Sequence, residues 1–429
     1  MSDSNLFFKL INSTYEAVCR EKMSKNVEFF FQNLTYVAIG TIIGNICLFA
    51  FNALGGRYLG PAEYGKFTLI NSVATFLYIP MLFGMSSAIV KYNSETNEYH
   101  KQKSIISTTY ILILVATIFS TLFYIGFSSK IADILSIHLN MFYFSILFAL
   151  ITALHTLTTN TLRSLHRMKI FSILKLIYGF ALLFSFIIFI RIEGLSYKSM
   201  LFPMYISAII ISVYILVTNI RKYLALTFDS HWAKTLIIYS SYNIFNSVSF
   251  MLYSNIDKIL INKYMFVENV GVYYAYNISS ISIMNVLSGI IINVLFPTIC
   301  KYEDKKNITN KINKFMPLSL LVGFVTIICT QYIILNIYGK QYPINFQLML
   351  LFTIVSLLFF CYNTYMWIFN SLGIAGVKIT MYGSVVIAII DIILNIYLIP
   401  RYGLFGAIGS TALAYCAGLF VIYNHKNMI

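Results

Sequence analysis

Two aspartates and four stripes of amide, hydroxyl and phenol groups are the chemistry this chain offers, and all of them fall within very apolar sequence. Asp391 stands in Val-Val-Ile-Ala-Ile-Ile-Asp-Ile-Ile-Leu-Asn-Ile, with Asn395 one turn on. A carboxylate in the middle of an apolar helix costs roughly 3 kcal/mol on insertion scales, so it needs a partner, a proton or a cation. As a sequence feature Asp391 stands alone. It reads either as an ion-coupling group for H⁺ or Na⁺ or as a neutral acid bonded to a neighbouring helix. Asp257 and Lys258 are the other charged pair. Lys258 could present charge to a phosphate, with Asp257 tuning it or sharing the ion-coupling role. The plainer alternative is a lysine that snorkels to an interface beside an acid.

The polar stripes follow helical spacing. Thr68, Asn71, Thr75 and Tyr78 recur at i, i+3, i+7 and i+10, and Tyr239, Tyr242, Asn246, Ser249, Tyr253 and Asp257 share a second face. Asn45 pairs with Asn52 on a third, and Asn277, Asn285 and Ser288 form a fourth. One such residue is explained by packing between helices. Four stripes at matching places in two repeats predict a shared hydrated cavity, because lipid offers polar groups no partner. The tyrosines of these stripes, Tyr78, Tyr239, Tyr242 and Tyr253, each offer a flat apolar face and one hydroxyl.

The repeat itself is centred on Gly56-Arg-Tyr-Leu-Gly-Pro-Ala-Glu-Tyr-Gly65. Moving 206 positions along without a gap places Arg57 on Lys263, Tyr58 on Tyr264, Gly65 on Gly271 and Asn71 on Asn277. Internal repeats of this size build many transporters, with the substrate path between them.

With 59% hydrophobic and 10% charged residues, the chain cannot make a soluble surface. Apolar runs long enough to cross a bilayer of roughly 30 Å recur about twelve times between Tyr36 and Asn424. Backbone groups in lipid must bond within their own segment, so these runs are helices. The expected fold is all-α and polytopic, in two six-helix repeats: a cytoplasmic segment 1–33, an N-terminal lobe 34–220, a cytoplasmic connector 221–234, a C-terminal lobe 235–424 and a short tail 425–429. The net charge of +15 reports topology, and no nucleic-acid partner is read from it. Most Lys and Arg fall on one side if both termini are cytoplasmic; Arg57, Lys66, Lys130, Arg191, Lys198, Lys258, Lys263, Lys340 and Arg401 are the exceptions.

Six scattered His, no metal-ligand spacing, no nucleotide cradle and no nucleophile elbow argue against an enzyme. The longest loops are about 15 residues, short of the ~50 of a small folded domain. The six Cys suggest no extracellular disulfide framework, and no cofactor is expected.

Four stretches resemble the polysaccharide flippases, the O-antigen and capsule repeat-unit translocases of the multidrug/oligosaccharidyl-lipid/polysaccharide exporter superfamily: Gly56 to Gly65, Ala88-Ile-Val-Lys-Tyr92, Asp257-Lys-Ile-Leu-Ile261 and Ile399-Pro-Arg-Tyr-Gly-Leu-Phe-Gly-Ala407. The resemblance implies a V-shaped bundle of two lobes, as in the multidrug exporters. It also implies alternating-access movement of an undecaprenyl-pyrophosphate-linked oligosaccharide across a bacterial inner membrane for O-antigen, capsule or exopolysaccharide synthesis. Membrane lipid, a polymerase and chain-length proteins are the implied partners. Basic residues at the cavity mouths, Arg57, Lys91, Arg163 and Lys258, would then meet the pyrophosphate. Asn71, Tyr78, Tyr242, Asn246, Tyr253 and Asn277 would meet the sugars. The alternatives are a cation-coupled multidrug exporter of the same superfamily and a membrane polysaccharide polymerase.

Overall fold

The computed structural model describes residues 25–225, 227–289, 292, 305–372 and 374–426. Every regular element among them is helical: α1 (Lys25–Leu82), α2 (Met85–Ser94), α3 (Tyr99–Gly126), α4 (Ser128–Ile134), α5 (Leu139–Ser164), α6 (Met168–Glu193) and α7 (Lys198–Ile215) in the first half. The second half holds α8 (Ser230–Tyr264), α9 (Val267–Asn277), α10 (Lys305–Tyr338), α11 (Phe346–Asn370), α12 (Ile374–Tyr402) and α13 (Leu404–Asn424). The all-α, polytopic expectation holds. Most of the anticipated segment 1–33 lies outside the described residues.

Among the described residues, nine helices are long and apolar enough to cross a membrane, against an expected twelve. One of the nine, Ile42–Leu82, is 41 residues long and contains a sharp break, so it holds two stretches of bilayer length. At Gly60 the backbone turns to φ 75°, ψ 170°, which glycine adopts without strain. Pro61 then opens the second limb at the position where its missing N–H costs nothing. α8, with Tyr239, Ser240, Ser241 and Asp257, is too polar to qualify by composition.

Helices approach closely where glycine removes the side chain, the usual packing device when lipid supplies no hydrophobic drive. A Cβ on Gly40 would stand 2.7 Å from the Ser172 carbonyl oxygen, and one on Gly179 would stand 2.8 Å from the Cys47 Cβ, so the first limb of α1 lies tight along α6. In the second half, a Cβ on Gly418 would stand 2.5 Å from Ile387, which joins α12 to α13. The outer surface is apolar in keeping with a lipid solvent: Phe119, Phe184, Ile192, Leu321 and Phe420 are each more than 60% exposed.

The connector joins the halves firmly at what we call the connector end. Ser107 Oγ donates to the Tyr223 carbonyl and accepts from the Ala225 N–H, both at 2.9 Å. The Asp229 N–H donates to Thr108 Oγ1 at 3.1 Å, and Ser104 Oγ donates to its carboxylate at 2.9 Å. The same carboxylate caps α8 by accepting from the N–H groups of His231 and Trp232. The Ser104 hydroxyl, and then the capping N–H groups, hold the Asp229 carboxyl below the usual aspartate range. A lowered folded value means that this stabilisation is present at neutral pH and is lost as pH falls through it. Asp229→Ala is predicted to lower the melting temperature measured in detergent, by the equivalent of about 1 kcal/mol for a lost cap, with the loss vanishing in acid.

Candidate functional site

At the end opposite the connector, which we call the hinge end, the halves meet backbone to backbone. A Cβ on Gly65 would fall 2.0 Å from the Val267 carbonyl oxygen and 3.1 Å from the Gly271 nitrogen. A Cβ on Gly271 would fall 2.2 Å from the Pro61 carbonyl oxygen and 3.1 Å from the Gly65 nitrogen. The contact is thus reciprocal, and the two glycines are the repeat mates found 206 positions apart. Tyrosines fill the space beside them. Tyr64, fully buried, shares hydrogen bonds with Tyr338 at 3.0 Å and Asn52 at 3.2 Å, and its ring lies 5.6 Å from that of Tyr274. Tyr342 donates to the Gly56 carbonyl at 2.9 Å. The conspicuous stretch Gly56 to Gly65 is therefore the first half's share of a seal.

Between the seal and the connector lies a cavity of about 400 Å³. Tyr78 on the second limb of α1, Tyr253 and Asn255 on α8, Asn285, and Asn363 on α11 line it, so both halves contribute. Ser247 and Phe250 are exposed, so the space is not enclosed. No charged side chain appears among its described lining residues. Its polar groups are amides, hydroxyls and phenols, set among the apolar side chains of Ile79, Leu82, Phe250, Met251, Phe359 and Met366. Of the expected sugar contacts, Tyr78 and Tyr253 are there, while Asn71 and Asn277 lie outside the lining. The side chains of Tyr242 and Asn246 lie outside the described residues. Asn255 and Asn363 escaped the sequence reading, although each is an amide inside an apolar run and carried the same signal as those chosen.

The four expected cations do not converge. Lys91 and Arg163 stand at the connector end, flanking a hydrogen bond of 2.8 Å between Asn93 and Ser164. The Lys91 ammonium lies 4.5 Å from the centre of the Tyr239 ring, and Arg163 donates to Asn160. Arg57 is exposed at the hinge end. Lys258, expected at a mouth, is instead 6% exposed: its ammonium donates to the Ser254 carbonyl at 3.0 Å and to Asn255 Oδ1 at 2.9 Å, and lies 5.3 Å from the Tyr274 ring centre. Through Asn255 it sits one side chain behind the cavity wall.

Asp257 turns away from that lysine, because successive residues on a helix point about 100° apart. It accepts from the Tyr273 hydroxyl at 2.5 Å, the Asn395 amide at 2.8 Å and the Thr411 hydroxyl at 3.3 Å. Asp391 is not alone, as the sequence suggested, but fully buried beside Asp257. Neither of its oxygens, nor the Asn395 Oδ1, has a donor among the described residues. Two ionised carboxylates cannot donate to one another, and burying both without compensation is far too costly to persist. A proton on one acid lets it donate to the other. A hard cation such as Na⁺, which takes oxygen ligands from carboxylate, amide and hydroxyl groups, fits the same donor set.

The acid cluster predicts that the purified protein melts a few degrees higher on mild acidification or when Na⁺ replaces choline, since a ligand at a hundredfold excess over its dissociation constant adds about 2.7 kcal/mol. Asp391→Asn brings its own donors and is predicted to abolish both responses.

Comparison with known proteins places this geometry. The family described as polysaccharide biosynthesis protein matches residues 56–344. The probable low-salt glycan biosynthesis flippase Agl15 of Haloferax volcanii is 22% identical over 204 residues, which cover 45% of this chain and 42% of the relative. The chain thus matches less than half the length of that curated relative. Among solved structures, the lipid II flippase MurJ in an inward closed conformation superposes with a TM-score of 0.71 at 15% identity, over 91% of this chain and 87% of that one. An inward-facing multidrug resistance MATE family transporter of the MOP superfamily gives 0.63 at 12% identity, over 92% and 94%. At such identities the likeness is one of fold. Because the family match spans more than half of it, the chain belongs to the polysaccharide biosynthesis protein family, built on the membrane-spanning fold shared by MurJ and the MATE transporters.

Proposed function

We propose that this protein is a flippase that carries a lipid-linked oligosaccharide repeat unit from the leaflet at the connector end to the leaflet at the hinge end. Twelve spans in two six-helix lobes make up the machine: the two limbs of α1 with α2 completing the second, then α3, α5, α6 and α7, and in the other half α8, α9 with its continuation, and α10 to α13. The observation that carries the reading is the uncharged cavity between the halves, with amides and phenols set in a largely apolar wall, closed toward the hinge end by the Gly65–Gly271 crossing.

Sugars lose water on entering a membrane and need replacement partners of neutral, hydrogen-bonding character. Asn255, Asn285 and Asn363 offer amide donors and acceptors, while Tyr78 and Tyr253 offer flat faces. A cationic drug would want acids in the walls, and the described lining has none. The pyrophosphate has different needs, met by Lys91 and Arg163 at the connector end, with the Lys258 ammonium held behind Asn255. The polyprenyl tail stays in lipid while the lobes rock about the cavity. The basic excess at the connector end supports a cytoplasmic placement of that end, with both termini on that side of a bacterial inner membrane. An undecaprenyl-pyrophosphate carrier, a product destined for O-antigen, capsule or exopolysaccharide, and cooperation with a polymerase and chain-length proteins complete the proposal. The acid pair Asp257 and Asp391 is its H⁺ or Na⁺ coupling site.

Combined Lys91→Ala, Arg163→Ala and Lys258→Ala in a strain lacking the chromosomal copy is predicted to cut polymer export by tenfold or more, about 1.4 kcal/mol of lost cargo binding or greater, with the lipid-linked oligosaccharide accumulating toward the cytoplasm. Unchanged export would remove these cations from the proposal. Asp391→Asn is predicted to make transport in vesicles indifferent to imposed H⁺ and Na⁺ gradients; transport that still follows either gradient would contradict the coupling role.

A further inference from the structure

A second cavity, of about 530 Å³, opens at the connector end of the second half, away from the space between the lobes. It lies among α10, α11 and α13, and each helix presents one face to it. From α10 come Lys306, Thr309, Asn310 and Asn313, spaced i, i+3, i+4 and i+7, which descend about 10 Å along that helix. From α13 come Leu419, Ile422 and Tyr423, with Lys426 just past its end continuing the same spacing, and α11 adds Tyr365 and Phe369 as the floor. One wall is therefore polar and the other largely apolar, with a lysine at the top of each.

The position of the cavity along the bilayer normal is marked by its surroundings. Phe315 and Leu318 on α10 and Phe420 on α13, each at least 60% exposed, begin a lipid-facing band at the level of the cavity's deeper residues. Lys306 and Lys426 stand beyond that band, where the long stems of lysines and the rings of tyrosines ordinarily meet headgroups. The polar groups are set for an acceptor-rich ligand. Lys426 is steered by its hydrogen bond of 2.8 Å to the Tyr423 hydroxyl and by the same ring, 4.0 Å from the ammonium. The Tyr365 hydroxyl donates to Asn313 Oδ1 at 2.7 Å, which fixes an amide whose other groups are N–H donors. No acidic side chain lines the cavity among the described residues.

We propose that this cleft is a binding site for an anionic phospholipid of the connector-end leaflet. The phosphate sits between Lys306 and Lys426, the glycerol esters accept from Asn310 and Asn313, and one acyl chain runs down past Phe369 and Leu419. The site lies apart from the interlobe cavity, so it holds whether or not the cargo assigned above is correct. A bound lipid there would tie α13 to α10.

The test is binding of palmitoyl-oleoyl phosphatidylglycerol to the full-length purified protein, followed by native mass spectrometry and by melting temperature, against phosphatidylcholine as the reference lipid. Wild type is expected to retain the anionic lipid in preference and to melt higher with it. Lys306→Gln with Lys426→Gln should weaken that binding roughly thirtyfold, the equivalent of about 1 kcal/mol per lysine at an anionic surface, whereas Lys306→Arg with Lys426→Arg should keep it. Asn313→Leu, which leaves both charges in place, should cost about fivefold as a lost hydrogen bond to a neutral ester carbonyl. Equal retention of both lipids by wild type, or undiminished phosphatidylglycerol binding in the double glutamine variant, would overturn the proposal. So would an equal rise in melting temperature with inorganic phosphate alone, which would make this a site for the free anion.

Discussion

The structure depends on one contact between backbones. At the hinge end the first turn of the second limb of α1 crosses the first turn of α9 with no side chain between them, because both crossing residues, Gly65 and Gly271, lack one. A methyl group at either would collide with a carbonyl oxygen of the opposite half. Packed interiors give way discretely rather than continuously, so a crossing this tight is either made or separated. Around it the phenols of Tyr64, Tyr338 and Tyr342 satisfy one another and the chain at Gly56, so the seal is buried yet leaves few polar groups unpaired. Breaking it would release a small number of modest hydrogen bonds and a limited aromatic contact, a scale of energy that ligand binding can supply.

α8 joins the connector, the cavity and the acid cluster. Its first turn is capped by Asp229 and bound through that residue to α3 of the other half. Further along, Tyr253 and Asn255 face the cavity, Lys258 stands behind Asn255, and Asp257 enters the acid cluster with α9, α12 and α13. Within five residues of one helix lie the cavity wall, a cation and half of the acid pair. On the coupling role proposed above, a change of proton or cation at Asp391 would reach the cavity wall through this one helix, with no need for a longer route. In lipid each of these polar groups has to find its partner inside the protein.

Much of this was legible in the sequence, for physical reasons. Membrane composition, helical periodicity and charge asymmetry depend on local chemistry and survive without a fold. So did the 206-residue repeat, which located Gly65 and Gly271 as equivalent positions. That equivalent positions touch is a property of the arrangement of the halves and could not be read. The same limit applied to the acids. Asp257 accepts from Asn395, 138 positions away, and only the fold makes Asp391 its neighbour. Adjacency in sequence misled at Lys258, since a helix sends neighbouring side chains in different directions. Asn363 on α11 was missed because a single amide in an apolar run resembles packing until its helix is placed against the cavity.

The most direct test of a two-state seal is a distance across it. Tyr58 and Tyr264 are repeat mates, exposed at the hinge end on opposite halves, and accept spin labels without touching the cavity or the acid cluster. Pulsed electron resonance on the doubly labelled protein in nanodiscs is predicted to show one short distance in the sealed form. A second, longer distance should grow when Na⁺ or acid is supplied together with lipid-linked oligosaccharide. A single distance, unchanged under every combination of ion and cargo, would contradict the claim that the two halves separate at the glycine crossing.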